Sequence, residues 1–178
     1  MPLVAIVGFA LVGCLPAASA QTPSSNSLTV DRLGLRMSYP DGWSVASQQV
    51  MNIVTLVNAD GTAQVSIYGE PRTSPGDAVT ALADVASESA TPATRLTIGG
   101  WPALERRELV RRSQPSKGRP PTEPMMLKLT TAVAAGTRLV RVDAALPSNA
   151  DRALIDQVEA MGRSLVFTST PSGPAQPR

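Results

Sequence analysis

Thr94-Arg-Leu-Thr-Ile-Gly-Gly-Trp-Pro-Ala103, in the middle of the chain, decides how the rest is read. Leu96 and Ile98 alternate with Arg95 and Thr97, the period of a half-buried strand. Gly99 and Gly100 permit the positive φ of a tight turn, and Trp101-Pro-Ala103 begins a returning strand. Upstream, Ser74-Pro-Gly-Asp77 supplies a cap, a proline at the first helical position and a carboxylate three residues on, which predicts a helix start. Val79, Leu82, Ala83 and Ala86 follow at helical spacing, and Pro92 closes that element. Earlier, residues 52–57 and 63–68 flank Ala59-Asp60-Gly61, a hairpin signal. Leu28-Thr-Val30, Leu33 to Tyr39 and Trp43-Ser-Val45 read as short strands, the last two separated by the Pro40-Asp-Gly42 turn. Trp43 is expected as a core anchor rather than an exposed stacking platform, because aromatics are scarce.

Downstream, Leu104 to Arg112 continues the second strand and is dense in charge. Residues 113–124 are rich in proline and predict a long loop carrying Lys117 and Arg119. Leu127, Leu129, Thr131 and Val133 mark one strand face, Ala134-Ala-Gly-Thr137 a turn, and Val140, Val142 and Ala144 the return. Ser148-Asn-Ala-Asp151 predicts a second helix start by the same capping logic, with Leu154, Ile155, Val158 and Met161 as its apolar stripe and Gly162 as its stop. Ser164-Leu-Val-Phe167 closes as a short strand, and residues 168–178 form a Pro/Ser/Gly tail.

With 178 residues, 43% of them apolar and 17% charged, the chain suits one globular domain, expected over residues 28–167. Histidine is absent and Cys14 is the single cysteine. Those absences exclude a Ser-His-Asp or Cys-His nucleophile pair, a Cys/His zinc site and an intramolecular disulfide. No cofactor is expected.

Residues 3–15 are apolar, uncharged and too short for a membrane-spanning helix of about 20 residues. They fit the apolar core of an export signal over residues 1–20, followed by a Ser/Thr/Pro-rich linker at 21–27. Two processing routes are open: cleavage after Ala20, or lipidation of Cys14 in the lipobox-like Leu11-Val-Gly-Cys14. Both place the domain outside the cytoplasm, the second with a membrane anchor.

The net charge of +2 is unevenly spread. Residues 21–100 carry four basic and seven acidic side chains, and residues 101–178 carry twelve and seven. Arg106, Arg107, Arg111, Arg112, Lys117 and Arg119 place six cations within fourteen residues. They are a candidate docking surface for an anionic ligand, a lipid headgroup or an acidic protein face. The plainer reading is an edge strand protected by charge. Nucleic acid is not an expected partner, since the chain offers few aromatic platforms. Asp41, Asp60, Glu105 and Glu108 are the carboxylates left for a hydrolase, but two sit in turn signals and two among arginines. No catalytic residue is expected.

Three segments carry a family likeness: Met37-Ser-Tyr-Pro-Asp-Gly-Trp43, Ile98-Gly-Gly-Trp-Pro-Ala103 and Arg163-Ser-Leu-Val-Phe167. With the order of elements around them, residues 28–167 resemble the PsbP-like superfamily of extrinsic photosystem subunits, a Ran-binding nuclear-transport factor and bacterial envelope lipoproteins. The resemblance implies an α+β fold, an α/β/α sandwich with a central, mainly antiparallel sheet and two principal helices. It also implies a non-catalytic role in protein binding or assembly at the cell envelope. A metal role through histidine does not carry over, because the chain has none.

Overall fold

The structure is a computed structural model, and it describes residues 25–49, 53–111 and 125–168. Cys14, Ala20 and the rest of the expected export segment lie outside the described residues, as does the tail from residue 169. The elements run β1 (Ser25–Val30), a 3-10 turn (Asp31–Leu33), β2 (Leu35–Pro40), β3 (Trp43–Gln49), β4 (Ile53–Asn58) and β5 (Gln64–Pro71). Then come α1 (Pro75–Ser87), β6 (Thr94–Ile98), β7 (Trp101–Arg111), β8 (Met125–Ala135), β9 (Arg138–Pro147), α2 (Arg152–Arg163) and β10 (Val166–Phe167). Seven strands form the central sheet in the order β3-β4-β5-β9-β8-β7-β6, antiparallel at every step. The expected architecture is present: α+β, with a helix layer on each side of an antiparallel sheet.

Strand alternation sorts the core into two layers. Leu104, Ala132, Ala134 and Leu139 point to one face and pack against Ala78, Ala81, Leu82 and Val85 of α1. Val65, Ile67, Leu129, Val133, Val140 and Val142 point to the other and pack against Val158 and Met161 of α2. The α2 layer also holds a second sheet that the sequence did not announce. In it β2 lies between β1 and β10, and it buries Leu35 and Met37. Trp43 and Trp101 are both core residues. Among the described residues no helix is long and apolar enough to cross a membrane.

The first helix starts where the sequence predicted: Ser74 Oγ accepts from the N–H of Asp77 at 3.1 Å, with Pro75 next in line. The second starts three residues later than predicted. Its cap is Asp151, whose Oδ1 accepts from the Leu154 N–H at 2.8 Å, while Ser148 belongs to the turn that leaves β9. Gly162 is not the helix stop but a packing residue within α2. A Cβ there would lie 2.5 Å from Thr131 Oγ1, so its bare backbone lets the helix sit tightly on β8. The helix ends one residue further on, where the Ser164 N–H donates to Ala160 O at 2.9 Å. At the front of the domain, β1 begins at Ser25, inside the stretch expected as linker, because all six of its residues pair with β2.

Candidate functional site

Besides the outer sides of the edge strands β3 and β6, the far half of β7 is an open edge of the sheet. Its neighbour β6 pairs with Trp101 to Glu105 only, whereas β8 runs beside it from Ala103 to Arg111. Pro92, just ahead of β6, has no N–H to extend that strand. Among the described residues, therefore, Arg106 to Arg111 have a strand on one side only. Backbone phase follows from the two-residue turn at Gly99-Gly100, which makes Ile98 and Trp101 a hydrogen-bonded pair. Counting by twos, Trp101, Ala103 and Glu105 address β6, so Arg107, Leu109 and Arg111 turn their N–H and C=O groups to the vacant side.

The same alternation divides the six predicted cations. Arg106 shares a face with Leu104 and is only 3% exposed. Its Nη1 donates to the carbonyl of Val85 at 2.8 Å, and its guanidinium lies 3.8 Å from carboxylate oxygens of both Glu88 and Glu108. A buried side chain committed to the end of α1 is unavailable for docking, which corrects the expectation for Arg106. Arg107 lies on the opposite face and is bonded to Glu159 of α2. Beside them Arg163 donates from Nε to Glu105 Oε1 at 2.8 Å and through Nη2 to the second oxygen, and it lies 3.6 Å from Glu159. The hydrogen bonds it donates to Glu105 hold the Arg163 guanidinium above its usual pKa. These four side chains rim a cleft of about 320 Å³ floored by Leu129 and Val158. Arg111 is exposed further along the same face, after Leu109, which is 59% exposed. Arg112, Lys117 and Arg119 lie outside the described residues.

A second polar group fills the α1 face where that helix ends. Asp143 Oδ2 accepts from the Tyr68 hydroxyl at 2.6 Å, and Oδ1 accepts from Thr130 Oγ1 at 2.9 Å. Arg141 donates to Glu88 at 2.9 Å, lies 3.5 Å from Asp143, and stacks 5.6 Å from the centre of the Tyr68 ring. Burial first, and then the bond to Asp143, pushes the Tyr68 hydroxyl well above the usual tyrosine range. None of these residues was singled out from the sequence. The available signal was Arg141 and Asp143 alternating with Val140, Val142 and Ala144, since a strand of a central sheet needs partners for such charges.

The four carboxylates considered for chemistry are held apart and occupied. Asp41 accepts from Asn26 Nδ2 at 3.0 Å. Asp60 closes its turn by accepting from the Thr62 hydroxyl at 2.8 Å and the Thr62 N–H at 3.2 Å, bonds that hold its carboxyl below the usual range. Glu105 is clamped by Arg163, and Glu108 lies 3.9 Å from Lys128 as well as beside Arg106. Among the described residues, no group of three or more His, Cys, Asp or Glu side chains is placed to hold a metal ion.

No family model and no curated protein sequence matches the chain. Solved structures do. Cyanobacterial PsbP (CyanoP) from Synechocystis aligns over 88% of this chain and 98% of its own, with a TM-score of 0.52 at 10% identity. LpqN of Mycobacterium tuberculosis, described as involved in cell envelope biogenesis, aligns over 85% and 88%, with 0.52 at 11%. The Ran-binding protein Mog1p of Saccharomyces cerevisiae aligns over 83% and 97%, with 0.54 at 9%. A structure from Bacteroides thetaiotaomicron reaches 0.56 over 75% of this chain at 14% identity, and there the chain spans only 45% of the other protein's length. Identities this low speak to architecture alone, and the architecture agrees in layers and coverage. The chain has the PsbP-like fold.

Proposed function

We propose that this chain is an extracytoplasmic accessory module that binds a protein partner at the cell envelope and performs no chemistry itself. The observation that carries the reading is the one-sided half of β7, with Leu109 and Arg111 exposed beside the Arg107–Glu159–Arg163 cleft. A free edge with an exposed apolar side chain is a feature that soluble proteins keep blunted unless something docks there. Two structures of the same fold add weight: one is described as involved in envelope biogenesis and another as Ran-binding. The apolar segment at residues 3–15 supports export, with anchoring through a lipidated Cys14 as the membrane-bound form and cleavage after Ala20 as the soluble one.

The test is photocrosslinking in living cells, with the probe placed in turn at Arg111, Val79 and Gln64, followed by membrane fractionation. A discrete protein adduct in the extracytoplasmic fraction is the expected result. Adducts to lipid or glycan alone, at Arg111, would instead favour an anionic-surface binder, the reading that the exposed Arg111 also supports. Recovery of the chain in the cytoplasm overturns the proposal. A Cys14→Ser variant that stays in the membrane fraction removes the lipid anchor from it.

A further inference from the structure

We propose that the vacant side of β7, from Arg107 to Arg111, takes an extended acidic segment of the partner by strand addition. The proposal rests on the reading of the chain as a protein-binding module and supplies its mode and the partner's chemistry. The backbone groups of Arg107, Leu109 and Arg111 stand in phase to receive a strand. The lane they face is the one β6 leaves at Pro92, so an added strand continues the sheet beyond β6. In a β-ladder the backbone supplies the hold and the alternating side chains supply the choice of sequence.

Those side chains read cation, apolar, cation: Arg107, Leu109 and Arg111 share one face. Directly opposite them, an antiparallel strand is best served by acid, apolar, acid at alternate positions, since opposite charges across a ladder attract. A second copy of this chain does not meet that requirement. With Leu109 opposite Leu109 across a two-fold axis, Arg107 faces Arg111 of the copy at both ends, and like charges directly opposite repel. Among the described residues the edge is thus guarded against itself and open to an acidic strand. The two cations are not equal. Arg107 already has Glu159 for a partner, whereas Arg111 is exposed at the outer end, so Arg111 carries the larger share of the selection. Glu159, itself 3.6 Å from Arg163, holds the Arg107 guanidinium on the binding face beside the cleft, where the acidic residue nearest β6 would sit.

The probe is a synthetic peptide with the core Asp-Thr-Val-Thr-Asp, titrated into the full chain, with a second peptide carrying lysine for both aspartates as control. Amide hydrogen exchange is followed residue by residue. The expected result is exchange slowed by about tenfold or more at Arg107, Leu109 and Arg111 with the Asp peptide only. Glu108 and Val110, already bonded to β8, keep their rates. Arg111→Glu is expected to weaken the Asp peptide by about tenfold and to admit the Lys peptide, a reversal that loss of folding cannot imitate. Leu109→Pro, which removes the middle donor, is expected to abolish the protection. If that variant unfolds, the Arg111→Glu reversal and the exchange pattern still decide. Peptide binding without protection at those three amides overturns the proposal, and so does equal binding of the Lys peptide or no binding at millimolar concentration. Protection of the same amides in a self-associated sample without peptide overturns it in favour of a second copy. Protein adducts at Val79 or Gln64 in cells, with the β7 amides indifferent to the peptide, would discard strand addition and keep the module. Absence of any protein adduct in cells would discard the module itself.

Discussion

The guanidinium of Arg106 donates to the main-chain carbonyl of Val85 at 2.8 Å, so a strand side chain caps the last turn of the helix that crosses it. The final carbonyls of a helix have no partner within it, and α1 has no basic residue of its own in its last turn. Arg106 supplies both the donor and the favourable charge at the negative end of the helix dipole. Removing it takes the side-chain donor from the Val85 carbonyl, while Glu88 keeps Arg141 at 2.9 Å. Arg106→Ala is therefore expected to lower unfolding stability by about 2–3 kcal/mol, read as the urea midpoint shift at constant slope. Arg106→Lys should recover only part of this, since an ammonium cannot span the carbonyl, Glu88 and Glu108 together.

Glu159→Ala makes a contrasting case. The pair with Arg107 is at the rim, where the Arg107 end is exposed to solvent although Glu159 is largely covered, and solvent-screened ion pairs contribute up to about 1 kcal/mol. The expected loss is within that limit, and it should shrink further in high salt.

Gly162 tests the close seat of α2 on β8. In an open helix, glycine to alanine gains about 1 kcal/mol of helix propensity. Here the new methyl would meet Thr131 Oγ1 at 2.5 Å and Thr131 Cβ at 3.1 Å. Overpacking of that kind costs about 1–3 kcal/mol, so Gly162→Ala should destabilise the domain by thermal or urea melting. Adding Thr131→Ala should return part of the loss, and the two substitutions should be non-additive.

Tyr68 gives a pH prediction. Its folded pKa lies above the unfolded value of 10.0, chiefly through burial and then through the bond to Asp143. A group raised in the folded state binds more protons there, so its contribution is fully present below pH 10 and is lost as the pH rises beyond it. Unfolding stability should fall through the alkaline range, and Tyr68→Phe should flatten that part of the profile while costing stability at neutral pH.

Much of this was legible in the sequence, because it was written in local chemistry. Gly99-Gly100 and Ser74-Pro75 fix their turn and helix start through φ and a cap, which need only neighbouring residues. The charged strand was legible as well, but not its two sides. Parity alone would have placed Arg106 with Leu104 and separated it from Arg107, had the strand been read against its buried face. The small sheet was hidden for a different reason. A pairing between β2 and β10 is long-range, and nothing in Val166-Phe167 states which strand will receive it. Ser148 and Asp151 show the limit of capping rules: both are good caps, and the exit of the chain from Pro147 chose between them.

The small sheet has a consequence for how the chain is made. β1 opens the described domain and β10 closes it, yet both lie against β2. Thr168 also bonds to the carbonyl of Gly34, 134 residues away, from its N–H at 2.8 Å and from its hydroxyl at 3.1 Å. A ribosome delivers β2 long before β10, so Leu35 and Met37 wait through the making of the whole large sheet and α2 for their own sheet to be completed. A chain broken off before Val166 would have every strand of its large sheet and still lack one flank of the small one.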